Sequence, residues 1–404
     1  MTPDASPAPL AEDDRQPGAT LALALATLAL AVNFWAWNLL GPLAPTYREL
    51  LSLTPFQVSL LVAVPALIGS LARIPIGALT DRLGGRVMFT AVTALTILPV
   101  VFLSVADAYS SLLVGGLFLG LGGASFAVGI PFVNAWTPPA RRGLALGIYG
   151  AGNVGTAVSG FLSPSIAESM GRPAAFWVVA VALAATAAVF FLLGRDAPGR
   201  TPSAGSMTAR FVEAFKLPVA RDLAFLYAVT FGGFVAFGAY LPTFLVDAYG
   251  LEVADAALRA AGFIVLATVT RPIGGALSDR FGGVPVLLVS LITIGLGAVV
   301  TAFEPGIVTA TVGFLAIAAA LGAGNGAVFA LVGRRSPPSQ VGSITGLVGA
   351  AGGLGGFLPP IIMGLVFQAT GSYAIGLMLL SDVAFAGAIY AAWRLREVRL
   401  SDAS

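Results

Sequence analysis

Arg73 and Arg271 each stand in an otherwise uncharged apolar stretch, and each precedes an aspartate, Asp81 or Asp279, by eight residues. On a helix that spacing sets the guanidinium about 12 Å from the aspartate along the axis. An arginine stays protonated, and its planar fork can donate two parallel hydrogen bonds to a flat oxyanion, which the point charge of a lysine does not match. Holding an arginine at the centre of a bilayer costs at least about 2.5 kcal/mol, so two at matched depth imply either a ligand or a buried counter-charge. Counter-charge is scarce. Of the 19 acidic residues, nearly all fall in tails, loops or at the ends of apolar stretches, Asp107, Glu168, Asp247 and Glu304 among them, and only Asp382 lies well inside one. Two cations without fixed negative neighbours make a site that is electrostatically incomplete until a small anion arrives.

Other residues at the same depth can complete it. Asn153 lies eleven residues into the apolar stretch that starts near 142, about 16 Å by helix rise, where its amide would donate to an oxyanion; the competing reading is a hydrogen bond between helices. Tyr227 and Phe231 are four apart and share a helix face, and Phe126 stands ten residues from the end of its own stretch. A phenol can donate to the anion and ring edges carry the positive part of the quadrupole, although core packing is the simpler account of the two phenylalanines taken alone. Asn33, Asn38 and Asn325 read as interhelical glue. With no cysteine and no histidine in the chain, no metal site, disulfide, or thiol or imidazole chemistry is expected. No cofactor is implied, and the residues present do not assemble an enzyme.

Long apolar segments must position these residues. The 404 residues are 57% hydrophobic and 10% charged, with a mean hydropathy of +0.93, against about 25% charge in soluble chains. The bilayer is the implied solvent. Twelve spans are predicted, near 20–45, 56–79, 86–106, 109–135, 142–167, 173–194, 221–246, 257–278, 283–303, 306–332, 340–367 and 371–393. Residues 1–19 are polar and proline-rich and are expected to form a disordered cytoplasmic tail rather than a cleaved signal. Residues 195–220, rich in Pro, Gly and Ser, read as a cytoplasmic linker, and 394–404 as a second cytoplasmic tail. With both ends in the cytoplasm, 16 of the 21 Lys and Arg residues lie on that side, Arg48, Arg172 and Arg259 on the other, and Arg73 and Arg271 within spans; this obeys the positive-inside bias. Basic residues scattered in this way argue against nucleic-acid binding. A repeat divides the chain: RIPIGALTDRLGG from Arg73 and RPIGGALSDRFGG from Arg271 share eight of thirteen positions at an offset of 198 residues. It sets one six-span bundle at 20–194 and another at 221–393, duplicated halves with a midplane site between them. The 50 glycines, concentrated in the fourth, fifth, tenth and eleventh spans, let helix backbones approach closely and suit spans that slide.

The strings G-x-x-x-D-R-x-G-G at Gly77–Gly85 and Gly275–Gly283 resemble the loop motif of the major facilitator superfamily, which implies an all-α membrane fold of twelve helices in two pseudo-symmetric six-helix bundles. In it Gly77, Asp81 and Arg82, and Gly275, Asp279 and Arg280, read as gate and structure: glycine for tight turns and close approach, the charged pairs for capping helix ends and latching one side. The combined strings resemble, more narrowly, the nitrate/nitrite porter family. That resemblance implies that Arg73 and Arg271 clamp the anion, that the G-N-x-G of the fifth span supplies Asn153, and that L-Y-x-x-x-F and G-G-x-x-F supply Tyr227, Phe231 and Phe126. One departure stands out: GAAGGLGG in the eleventh span has glycine where a second asparagine would mirror Asn153. The implied function is transport of nitrate or nitrite across the cytoplasmic (inner) membrane by a monomer embedded in lipid. Nitrate/nitrite exchange is expected. Proton symport, transport of another small anion such as formate, or a sensor or scaffold without flux are the alternatives.

Overall fold

The computed structural model describes residues 17–138, 142–198, 207–336 and 341–401. The tail expected over 1–19 therefore lies outside the described residues except for its last three, and Ala19 already begins α1. No strand occurs among the described residues, and eleven helical segments are long and apolar enough to cross a membrane. The remaining expected span, the fifth, is broken into shorter pieces.

The first half is built from α1 (Ala19–Trp37), α2 (Leu40–Leu51), α3 (Pro55–Leu71), α4 (Arg73–Leu83), α5 (Gly85–Ser104), α6 (Tyr109–Trp136), α7 (Arg142–Gly150), a 3-10 turn at Ala151–Asn153, α8 (Val154–Met170) and α9 (Arg172–Leu193). A linker helix, α10 (Met207–Lys216), leads to α11 (Pro218–Tyr249), α12 (Val253–Phe281), α13 (Gly283–Ala302), α14 (Ile307–Arg335), α15 (Val341–Gly355), α16 (Leu358–Thr370) and α17 (Ala374–Ser401). α17 continues well past 393, so residues 394–401 are helical where a tail was expected.

Four spans are discontinuous, and the sequence explains each break. Pro42 cannot donate to the carbonyl of Asn38, which separates α1 from α2, and Pro75 cannot donate to that of Leu71, which separates α3 from α4. Pro359 and Pro360 follow the break between α15 and α16 in the same manner. The fifth span tightens into its 3-10 turn among glycines that abut α1: a Cβ on Gly152 would lie 2.9 Å from the Leu30 Cβ, and one on Gly155 would run into the Ala31 carbonyl. Tight turns at Gly84 (φ 92°) and Gly282 (φ 88°) close the two copies of the repeat, a backbone region that glycine alone enters without strain.

The halves meet mainly through α2 with α11, α3 with α15 and α16, and α8 with α12. Small residues allow the approach: a Cβ on Gly160 would be 3.0 Å from that of Ala261, and Gly41 lies against the backbone of Ala239. The outer surface is apolar, with Leu98, Leu192, Val289 and Ile389 all largely exposed, as suits a protein whose solvent is lipid. Below, the tail end is that at which α1 starts and α17 finishes, and the far end is the opposite one.

Candidate functional site

The break before Arg73 puts this residue at the first turn of α4, and Arg271 holds the matching place in α12, directly before Pro272. Their side chains converge on one ring. The Arg73 Cζ is 5.9 Å from the Phe231 centroid and 5.2 Å from that of Phe126; the Arg271 Cζ is 5.7 Å from Phe231, 5.4 Å from Phe329 and 6.0 Å from Tyr227. These rings form a column through the middle of the molecule. Tyr149 stacks on Phe126 at 5.9 Å, Phe126 on Phe231 at 6.5 Å, and Phe231 on Tyr227 at 5.0 Å with only 5° between the planes. Tyr149, Phe126, Phe231 and Tyr227 are all buried, as is Arg73, while Arg271 is half-buried.

No carboxylate among the described residues forms an ion pair with either arginine. Their partners are neutral. Nε and Nη2 of Arg73 donate to the carbonyl of Gly123 at 3.4 and 3.3 Å, and Nη1 donates to the carbonyl of Gly349 at 2.5 Å, so that Arg73 reaches from the first half to a backbone oxygen of the second. Of five N–H groups, one on each terminal nitrogen is left for a ligand. Nη2 of Arg271 donates to the Tyr227 hydroxyl at 2.8 Å. Neutral acceptors orient the guanidiniums without cancelling their charge, which low-dielectric surroundings leave poorly screened. Asp382, the single acid expected well inside a span, is exposed on the outer face of α17, where it cannot serve the site.

The glycines of the eleventh span explain the missing second asparagine. A Cβ on Gly352, the position that mirrors Asn153, would run into the Tyr227 ring and come within 3.0 Å of Phe231 Cδ1. A Cβ on Gly353 would collide with Ser70 and lie 3.2 Å from Nη1 of Arg73. The second half thus gives up a side chain on α15 so that an aromatic from α11 and a cation from α4 can fill the space.

Access differs between the ends. Gly275 is one turn from Arg271 toward the tail end, Gly147 one turn from Gly150, whose Cβ would lie 4.0 Å from the Arg271 Cζ, and Gly346 one turn from Gly349; at Gly275, Gly147 and Gly346 an added Cβ would meet nothing within 4 Å. Open space therefore adjoins the site on its tail side. Next to it, toward the far end, a void of about 20 Å³ lies among Trp37, Asn38, Ala66, Phe234 and Ala239.

Five of the six residues expected at the site, Arg73, Arg271, Tyr227, Phe126 and Phe231, share one aromatic and cationic cluster. Asn153 is buried in the 3-10 turn with its Oδ1 unpaired, and no hydrogen bond joins it to either arginine. Asn33 and Asn38 tie helices together, the former donating to Thr93 Oγ1 at 2.8 Å and the latter to the Thr156 carbonyl at 3.2 Å; Asn325 Oδ1 is buried without a partner. In the repeated motif, Asp279 accepts from Arg334 at 2.9 Å within its own half, and Arg82 and Arg280 are exposed. Gly77 is buried, but close approach between α12 and α14 runs through Gly274 rather than Gly275. The α5 N-terminus is capped by Asp196, which accepts from the backbone N–H of Gly85 at 2.7 Å. Sequence reasoning missed Tyr149 and Phe329. Tyr149 sits inside GIYGAGNVG and donates to the carbonyls of Ser125 and Phe126. Pairing GGASFAV with AGNGAV sets Gly326 opposite Phe126 and Phe329 opposite Gly129, so the ring moves by one turn between the halves.

The sequence pattern of the Major Facilitator Superfamily matches residues 26–360 and again 223–403. Over 387 residues the chain is 47% identical to the probable nitrate/nitrite transporter NarK2 of Mycobacterium tuberculosis, covering 95% of this chain and 98% of that one. The chain belongs to the major facilitator superfamily and, within it, to the nitrate/nitrite porter family. The porter is also 40% identical over 378 residues to the nitrite extrusion protein of Bacillus subtilis (94% and 95% coverage). To the probable nitrate transporter NarT of Staphylococcus epidermidis it is 36% identical over 364 residues (89% and 92%). Among solved structures, a bacterial homolog of the human lysosomal transporter Spinster, inward-facing and occupied, superposes on it with a TM-score of 0.71 at 20% identity, covering 95% of the porter and 97% of that chain. The human organic anion transporter MFSD10 does so with a TM-score of 0.71 at 16% identity, covering 93% and 100%. These two establish the fold. The family is one of membrane carriers, not of enzymes.

Proposed function

We propose that the porter carries nitrate and nitrite across the cytoplasmic membrane by alternating access, residues 20–194 and 221–393 rocking about one anion held between Arg73 and Arg271. The observation that carries this reading is the convergence of two guanidiniums on the Phe231 ring with no carboxylate among the described residues paired to either. The relatives named for nitrate and nitrite favour these among small anions. A flat trigonal ion suits the site for two reasons. The free N–H on each terminal nitrogen of Arg73 forms a planar, two-toothed edge. The Phe126 and Phe231 rings, 6.5 Å apart, are also near the limit of about 7 Å for direct ring contact, so slight widening would admit a flat ion. Tyr227 would hold Arg271 in place and offer its own hydroxyl proton to the anion. Asn153, one turn from Gly150, would donate its amide once the halves close.

Without an anion the two positive charges repel across a poorly screened gap, which hinders the empty carrier from switching and favours exchange of nitrate for nitrite. The excess of basic residues at the tail end supports cytoplasmic termini in an inner membrane. A core complete within one chain supports a lipid-embedded monomer. The test is uptake of labelled nitrate into proteoliposomes of the purified protein. Uptake that depends on internal nitrite, ignores a pH gradient and is not competed by formate at equal concentration is expected. Dependence on the pH gradient would replace exchange by symport, and equal competition by formate would replace nitrate recognition by general recognition of small planar anions.

A further inference from the structure

We propose that Arg48 and Asp247 form a latch that holds the two halves of the porter shut at the far end, and that this ion pair must break each time the site opens there. Arg48 lies in the last turn of α2 and Asp247 in that of α11, one from each half, and their side chains pair directly. Among the ion pairs seen between described residues, the others stay within one half: Arg172 with Asp107, Arg259 with Asp255, Arg334 with Asp279 and Arg394 with Asp222.

Each partner is held ready by its own half. The Arg172 guanidinium, paired with Asp107, packs 5.2 Å from the ring centroid of Tyr47, the neighbour of Arg48, and so fixes the end of α2 against α9. On the other side the Tyr373 hydroxyl donates to Asp247 Oδ2 at 2.7 Å, while the Tyr373 ring stacks on Phe367 at 4.2 Å and its hydroxyl meets that of Tyr240 at 3.3 Å. Two pre-positioned partners lose little side-chain entropy on meeting, which makes their attraction count. The pair is also built to part. It borders a cavity of about 470 Å³ lined by Arg48, Glu49, Ser52, Thr243 and Asp247, and Arg48 is 31% exposed against 8% for Asp247, so the pair is open to solvation when it parts. That lining carries two carboxylates to one arginine, which opposes a second anion site and leaves closure as the role the charges fit.

This inference rests on alternating access and not on which anion is carried, so it is read without transport. The chain has no cysteine, and Ala239→Cys places a single thiol in the small void between the latch and the site, eight residues or about 12 Å deeper than Asp247. The purified variant is labelled with a membrane-impermeant maleimide in right-side-out and in inverted vesicles. Asp247→Asn keeps the acceptor for Tyr373 and removes only the charge. It is expected to speed labelling from the far face about three- to tenfold, Arg48→Asp likewise, and Arg48→Asp with Asp247→Arg to return the rate toward that of the parent. Unchanged labelling in Asp247→Asn, a rise from both faces, or no recovery in the charge-exchanged pair would overturn the latch.

Discussion

Arg73 engages carbonyls from both halves with three of its donors, whereas Arg271 is held by one hydroxyl of its own half. A lysine in either place would keep the charge and lose the fork. Arg73→Lys and Arg271→Lys are each expected to weaken nitrate binding at least about tenfold, by titration calorimetry on purified protein, with the larger loss at Arg73. Near-parental affinity in both would rule out two-toothed recognition. Tyr227→Phe removes one hydrogen bond to a charged group, worth about 1.5–3 kcal/mol. It should therefore weaken binding by about tenfold or more while the protein still elutes as a single species, because the ring that stacks on Phe231 remains. Parental binding by Tyr227→Phe would mean that Arg271 is oriented by its packing alone.

At the scale of helices, α15 is shaped by what it lacks. At Gly352 a methyl group has no room beside Tyr227 and Phe231, whereas at Gly262 on α12 the same group meets open space. Overpacking costs about 1–3 kcal/mol and exceeds the gain of about 1 kcal/mol in helix propensity from replacing glycine by alanine. Gly352→Ala is thus expected to lower the rate of labelled nitrate uptake at least about tenfold, and Gly262→Ala to leave it within about twofold. Equal effects would show that these glycines are interchangeable spacers. The proline breaks belong to this scale too. Pro75 ends the hydrogen-bond ladder of α3 so that Arg73 starts a fresh turn, and Pro359 and Pro360 part α15 from α16.

For the molecule as a whole, two uncompensated charges at the meeting of the halves predict that net flux is slow and exchange fast. Efflux of labelled nitrate from loaded proteoliposomes should accelerate at least about tenfold when nitrite is added outside, and equal rates without it would remove electrostatic hindrance from the cycle. Much of this was legible in the amino-acid order. Bilayer insertion demands runs of about 20 apolar residues, so the helices were plain from composition. A charge so costly in lipid marks Arg73 and Arg271 wherever the fold puts them, and the repeat around them revealed the two halves. Spacing along a helix also gave Tyr227 and Phe231 a common face. It could not tell that Asn153 would lie unbonded to the arginines, that Tyr149 and Phe329 would extend the ring column, or that Asp196 would cap α5. Nor could it show that Gly349 lends a carbonyl to Arg73, or that Arg48 finds Asp247 from 199 positions away. Periodicity and burial cost act on a residue through its own segment, and the sequence records them. Which side chain meets which across two halves depends on how helices broken by proline and thinned by glycine pack together, and only the tertiary structure decides that.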